Sequence, residues 1–213
     1  MSITIIEDFN SLNTAKLDGQ NGWADTAGTS GMQLVAGVTS LVNPYEGAKA
    51  DFMTSGVDIE IVSKDITART AGHFGYWSYI QSTPQSDGTR NSFYLMSVSG
   101  GQVCRGRFQY VAASTNCQFQ LLSGTDTILS TTTGITANAW HNFDLGFDPV
   151  ADKVRYRIDG GSWSAWFATI NTFSQVDRIR IYYEPDAAGL LAVDYIYYDN
   201  EGGAANGNFL AFF

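Results

Sequence analysis

The stretch WHNFDLGFDPVADKVRYRIDGGSW, residues 140–163, decides the fold. It alternates apolar and polar residues in two runs, the period of a strand and not of a helix. In the second run Val154, Tyr156 and Ile158 share one side, while Arg155 and Arg157 face away. Asp159, Gly160 and Gly161 then make a turn, since Gly takes positive φ without steric cost and Asp tolerates it. Trp163 and Trp166 stand just beyond that turn. Trp163 is expected to cap the apolar face, and Trp23, Trp140 and Trp163 are read as core or turn packing.

The same period runs outward in both directions. ITIIEDF, VDIEIVSKD, HFGYWSYIQ, VCRGRFQYVA, NCQFQLLS, VDRIRIYYE and LLAVDYIYYDN belong to a series of about fourteen short strands punctuated by turn residues. No window carries apolar residues at helical spacing, and no strand–helix alternation points to a parallel sheet. The expected fold is an all-β antiparallel sandwich. A length of 213 residues suits one such domain. The expected division is a sandwich over 1–200, then the linker EGGAANGN and the apolar FLAFF over 201–213.

Charged residues make up 15% of the chain and the formal net charge is −9. Phosphate binding needs a basic stripe, so nucleic acid and anionic lipid are not expected partners. Arg105 and Arg107 come closest to such a stripe. The start, MSITIIEDFN, lacks the marks of a secretory signal. No run approaches the roughly 18 apolar residues of a membrane helix, so no membrane insertion is expected. Cys104 and Cys117 sit on successive strands, in a register that sets Cys117 opposite a residue near Tyr110. They are therefore read as free thiols.

Three stretches in order, IIEDFNSLNTAKLDGQNGW (5–23), residues 140–163 and VDRIRIYYEPDAAGLLAVDYIYYDN (176–200), resemble the concanavalin A-like lectin/glucanase superfamily. The likeness is to its laminin-G-like jelly rolls and bacteriophage structural proteins. The resemblance implies two stacked antiparallel sheets, with the first and last strands, near Phe9 and Tyr195, as neighbours. It implies little about function, because this fold hosts lectins, hydrolases, lyases and virion parts. Such modules often tie the first strand to the last with a structural calcium ion; Glu7, Asp8 and Asp194 are the candidate ligands here. No other cofactor is expected.

The candidate glycan surface comes from strand faces. His73, Gly75, Trp77 and Tyr79 share one face of their strand; Arg105 and Arg107 share another, as do Gln118 and Gln120. If these strands are neighbours, Trp77, Tyr79, Arg105, Arg107, Gln118 and Gln120 form one polar-aromatic surface. No catalytic residues are expected. Asp58 and Glu60 supply half of the superfamily's hydrolase acid pattern, but Val62 and Ser63 stand where a third acid belongs. His73 and Tyr79 with Arg105 imitate a lyase cluster without its flanking residues.

The first reading is a non-enzymatic virion structural protein, a capsid decoration or fibre domain assembled in the host cytoplasm. Its partners would be other virion proteins or further copies of itself, and a host surface glycan is a further candidate. Phe209, Leu210, Phe212 and Phe213 would dock on a neighbour by strand addition. A carbohydrate-binding module is the alternative, and a polysaccharide-degrading enzyme the third reading.

Overall fold

The computed structural model describes residues 3–12, 17, 19–27, 33–36, 45, 49–54, 60–81, 90–99, 101–184 and 190–200. The residues Phe209 to Phe213, and Asp58, lie outside them. Every strand pairing is antiparallel.

Two sheets form the sandwich. The eight-stranded sheet runs Phe167–Ala168 (β13), Lys153–Ile158 (β12), Trp140–Asp148 (β11), Gly72–Ile80 (β6), Leu190–Asp199 (β15), Lys49–Thr54 (β4) and Gln33–Ala36 (β3). Ile3–Glu7 (β1) also pairs with β15. The seven-stranded sheet runs Thr127–Ile135 (β10), Asn116–Ser123 (β9), Gly101–Val111 (β8), Arg90–Ser97 (β7), Val176–Glu184 (β14), Glu60–Arg69 (β5) and Trp23–Ala27 (β2). The fold is thus the expected antiparallel sandwich of jelly-roll kind.

Period two sends one apolar set inward from each sheet. Phe74, Tyr76, Phe143, Leu145, Val154 and Leu191 meet Phe93, Phe108, Phe119, Leu121, Ile179 and Ile181 in one core. Aromatic pairs join the two layers. The Phe119 and Phe143 ring centroids are 4.7 Å apart, and those of Tyr76 and Phe93 are 4.6 Å apart. Each fully buried ring of this size contributes on the order of 1.5–3 kcal/mol by leaving water. Trp23 is in this core as expected. Cys117 lies opposite Tyr110, the expected register, and both cysteines are free thiols buried in the core. Burial pushes the Cys117 thiol up to about 12 and that of Cys104 higher still.

The ends of the domain meet as expected: Ile3 pairs with Asp199 and Glu7 with Ile196. Against β6, Asp194 stands opposite Trp77 but Tyr197 stands opposite Gly75, so β15 carries one extra residue. The bulge is at Tyr195, whose φ is +46°. It flips the alternation of the strand. Leu191 and Val193 face the core before it, Ile196 and Tyr198 after it.

The turn after β12 forms at 159–161, where Asp159 and Gly160 take φ of +51° and +66° and the Gly161 amide donates to the Ile158 carbonyl. Beyond it the hairpin departs from expectation. The chain pairs again only at β13; between, the Ser164 amide donates to the Tyr156 carbonyl. This return carries Trp163 to the outer face of the sheet, so Trp163 is not a core residue. Trp140 also lies on the outer face, tilted against Tyr79.

His141 locks the turn. Its Nδ1 is 2.7 Å from Asp159 Oδ2 and its Nε2 is 2.9 Å from the Thr136 carbonyl oxygen. Two acceptors facing two ring nitrogens suit the imidazolium. Burial alone would lower the His141 pKa; the Asp159 hydrogen bond and charge and the Thr136 carbonyl outweigh it and raise it. Burial pulls Asp159 upward, but the His141 bond, the Asn142 amide and the His141 charge hold it below the ordinary carboxylate range.

The His141 contribution is therefore full below its unfolded pKa of about 6.5 and lost as pH rises through the raised folded value. The Asp159 contribution is present above about 3.9 and lost as pH falls through the lowered folded value. Urea melts from about pH 6 to about pH 9 should show the native chain losing about 0.5–1 kcal/mol more than a His141→Asn variant, the scale of a partly solvated pair. Parallel pH curves for the two proteins would contradict this account.

Candidate functional site on the outer sheet faces

The structure divides the expected glycan surface between two sheets. Trp77 and Tyr79 are on β6, which pairs with β11 and β15. Arg105 and Arg107 are on β8, and Gln118 and Gln120 on β9, in the opposite sheet. Each group faces outward from its own sheet, so the six residues do not form one surface.

The outer face of the eight-stranded sheet is largely closed by its own side chains. Tyr45 stacks on Trp77 with centroids 3.5 Å apart, and Trp140 and Tyr195 lie edge-on or tilted beside Tyr45. In the middle, Asp144 is fully buried. It accepts from the Tyr197 hydroxyl at 2.6 Å and from Arg157 Nε at 2.6 Å. His73 Nε2 stands 3.5 Å from the same carboxylate. Arg155 and Arg157 sit over the Trp163 ring, at 4.3 and 4.7 Å, and Trp163 meets His73 edge-on.

Burial lowers the His73 pKa. Asp144 and Asp199 pull it up, and Arg157 and Arg155 add to the lowering. Burial thus opposes protonation of the imidazole. Burial and Asp144 push the Tyr197 phenol well above its ordinary range. A Tyr, a His and an Arg thus converge here, as in the lyase-type cluster considered above, but with Tyr197 and Arg157 in place of Tyr79 and Arg105. Tyr197 donates its proton to Asp144 and lies buried, so the phenol is neither ionised nor open to a substrate.

The outer face of the seven-stranded sheet has a different character. Register sets Arg180, Tyr94, Arg105 and Leu122 in one row across four strands. The next row holds Tyr182, Ser92, Arg107 and Gln120, and the next Glu184, Arg90, Gln109 and Gln118. Arg105 Nη1 donates to the Tyr94 hydroxyl at 2.6 Å, and Arg107 Nη1 to Gln120 Oε1 at 3.2 Å. Arg105 and Arg180 flank the Tyr94 ring at 5.2 and 5.8 Å. Arg90 pairs with Glu184 and Arg178 with Asp65. Buried Arg105 Nε, Arg107 Nε and Ser92 Oγ have no partner among the described residues.

Sequence reading found Arg105, Arg107, Gln118 and Gln120 but missed Tyr94, Tyr182 and Arg180. Each of those strands alternates, so the outward set was readable; that β7 and β14 adjoin β8 was not. Glu60 is on β5, next to this sheet's β14 and β2.

Of the calcium candidates, Glu7 is occupied by donors. Its carboxylate accepts from the Phe9 amide, Asn21, the Trp23 indole and the Lys64 ammonium. Asp8 accepts from the Asn10 amide, and Asp194 from the Tyr195 amide at the bulge. Among the described residues no group of three or more His, Cys, Asp or Glu is placed to hold a metal ion.

No protein-family model and no curated protein sequence matches the chain. Solved structures do. The carbohydrate recognition domain of Emp46p in its potassium-bound form is 8% identical, with a TM-score of 0.61, over 92% of this chain and 96% of that one. The carbohydrate esterase vb_24B_21 from the Shiga toxin-encoding bacteriophage phi24B is 14% identical, with a TM-score of 0.59, over 93% of this chain and 100% of that one. A sialidase is 10% identical, with a TM-score of 0.61; the match covers 93% of this chain but only 18% of the sialidase. Likeness at this level establishes the jelly-roll sandwich and leaves function to the residues.

Proposed function

We propose that this chain is a non-catalytic carbohydrate-binding domain that takes its ligand on the outer face of the seven-stranded sheet. One observation carries the reading. Arg105, Arg107 and Gln120, planar polar groups suited to sugar hydroxyls, adjoin Tyr94 and Tyr182, and among the described residues the buried Nε atoms of both arginines are unpaired. Buried polar atoms without partners are rare and costly, and a ligand rich in hydroxyls supplies partners. The likeness to a carbohydrate recognition domain supports the same reading.

Catalysis is not part of it. Glycoside hydrolysis needs two carboxyl groups free to flank the bond. On this face Asp65 and Glu184 are each held by arginine and Asp177 accepts from the Val98 amide and Gln175, which leaves Asp126 without a second free carboxylate to act with it. The assembly reading, a virion structural protein, draws on residues 201–213, outside the described residues, and the arginine–tyrosine face favours ligand binding over it.

A glycan array followed by affinity measurement tests the proposal. Arg107→Gln should weaken binding about thirtyfold, the scale of one interface hot spot. Trp77→Ala should leave it unchanged, and mass spectrometry should recover the bound oligosaccharide intact. Loss on Trp77→Ala with Arg107→Gln silent would move the site to the other sheet. Cleaved sugar would replace the binding reading with an enzymatic one.

A further inference from the structure

Resting on the reading just given, we infer that the ligand of the arginine face carries a carboxylate, and that Asp126 holds that carboxylate's place until the ligand displaces it. Asp126 is the last residue of the Gly124–Asp126 turn joining β9 to β10. Its side chain is 68% exposed, whereas those of Arg105 and Arg107 are 8% and 13% exposed. One oxygen does all the pairing. Asp126 Oδ1 accepts from Arg105 Nη2 at 2.6 Å and from Arg107 Nη2 at 3.1 Å.

The unfilled half of each guanidinium is informative. A carboxylate meets arginine best by two parallel bonds, and the Nε and Nη2 hydrogens of one edge point the same way. Asp126 takes one Nη2 hydrogen of each arginine, while both buried Nε atoms are without a partner among the described residues. Their Nη1 atoms donate to Tyr94 and Gln120. A planar oxyanion could use Nη2 and the unpaired Nε of one arginine together, where Asp126 offers a single oxygen to Nη2. The exposed carboxylate returns to water at little cost to itself, and an incoming carboxylate takes its place on the two arginines.

The charge on this face agrees. Among the described residues it bears five guanidiniums, Arg90, Arg105, Arg107, Arg178 and Arg180, against the carboxylates of Asp65, Asp126, Asp177 and Glu184. Arg180 has no carboxylate partner there; its Nε donates to Ser63. A chain of net charge −9 thus concentrates positive charge on one face. An acidic sugar, a hexuronate or a sialic acid type, offers both the carboxylate and the hydroxyls.

The test is an array of hexuronate and sialylated oligosaccharides beside their carboxyl-reduced and sulfated counterparts, titrated with wild type, Asp126→Asn and Asp126→Glu. Wild type should prefer the carboxylated member of its best pair. Asp126→Asn should bind that member about tenfold more tightly, as removal of a competitor that occupies the site about nine-tenths of the time would allow. It should bind the neutral member no better, and Asp126→Glu should show no gain.

Thermal melting should confirm that the exposed substitution leaves the fold intact. Equal binding of carboxylated and neutral members, an equal gain for the sulfated members, or no gain in Asp126→Asn would overturn the inference while leaving a glycan site. No binding to any spot by any of the three proteins would overturn the site as well.

Discussion

Asp144→Ala should lower the stability of this domain by about 3–5 kcal/mol, the cost of leaving a buried charge without its partner. Asp144 is fully buried and is the acceptor for both Arg157 Nε and the Tyr197 hydroxyl. Truncation leaves a guanidinium at 18% exposure with no carboxylate and a phenol whose remaining acceptor, Asn142 Oδ1, is 3.3 Å away. It also removes the negative charge that holds the His73 pKa up, so His73 resists protonation further. Asp144→Asn keeps an acceptor and should cost less. Urea unfolding measures both. A loss under about 1 kcal/mol for the alanine variant would mean that water reaches the cluster. The outer face under Trp163 would then reopen as a candidate site.

Gly75→Ala should be comparably damaging, at about 3 kcal/mol or more, the upper end of overpacking in a filled interior. Gly75 lies between Tyr197 on β15 and Asp144 on β11. A methyl group there would overlap the Tyr197 ring and the Asp144 carboxylate. The ring would have to leave its flat seat, and the Tyr197–Asp144 hydrogen bond would go with it. Coupling tests the cause: in a Tyr197→Ala background the extra cost of Gly75→Ala should fall, because the overlapping ring is gone and only the Asp144 carboxylate must still give way. A cost unchanged in that background would place the clash elsewhere.

What the sequence revealed and what it hid divide along one line. Alternation within a strand is local, so the common face of His73, Gly75, Trp77 and Tyr79, and that of Arg105 with Arg107, were readable. The Cys117–Tyr110 register was readable for the same reason, being set by a short connection between successive strands. Sheet membership is not local. β6 and β7 follow one another in the chain yet lie in opposite sheets, and nothing in their alternation says so.

The Tyr195 bulge hid a second set. Strict alternation would send Tyr197 inward with Leu191 and Val193, whereas the extra residue places it beside Asp144. Trp163 was misread for a related reason: the turn at Asp159 was legible, but the chain's return over the outer face depends on single contacts such as Ser164 to Tyr156. Asp126 could not be singled out at all, because its role exists only where two arginine edges converge.

The pairing of β1 with β15 has a mechanical consequence. Ile3 stands opposite Asp199, so the two ends of the described fold emerge at one corner. The hydrogen bonds between antiparallel strands run perpendicular to them. A pull applied at Ile3 and Asn200 therefore stretches those bonds along their own axes, one pair after another from the corner inward. The first strand peels away like a zipper before load reaches the aromatic core. Towed by its ends, the domain yields at low force.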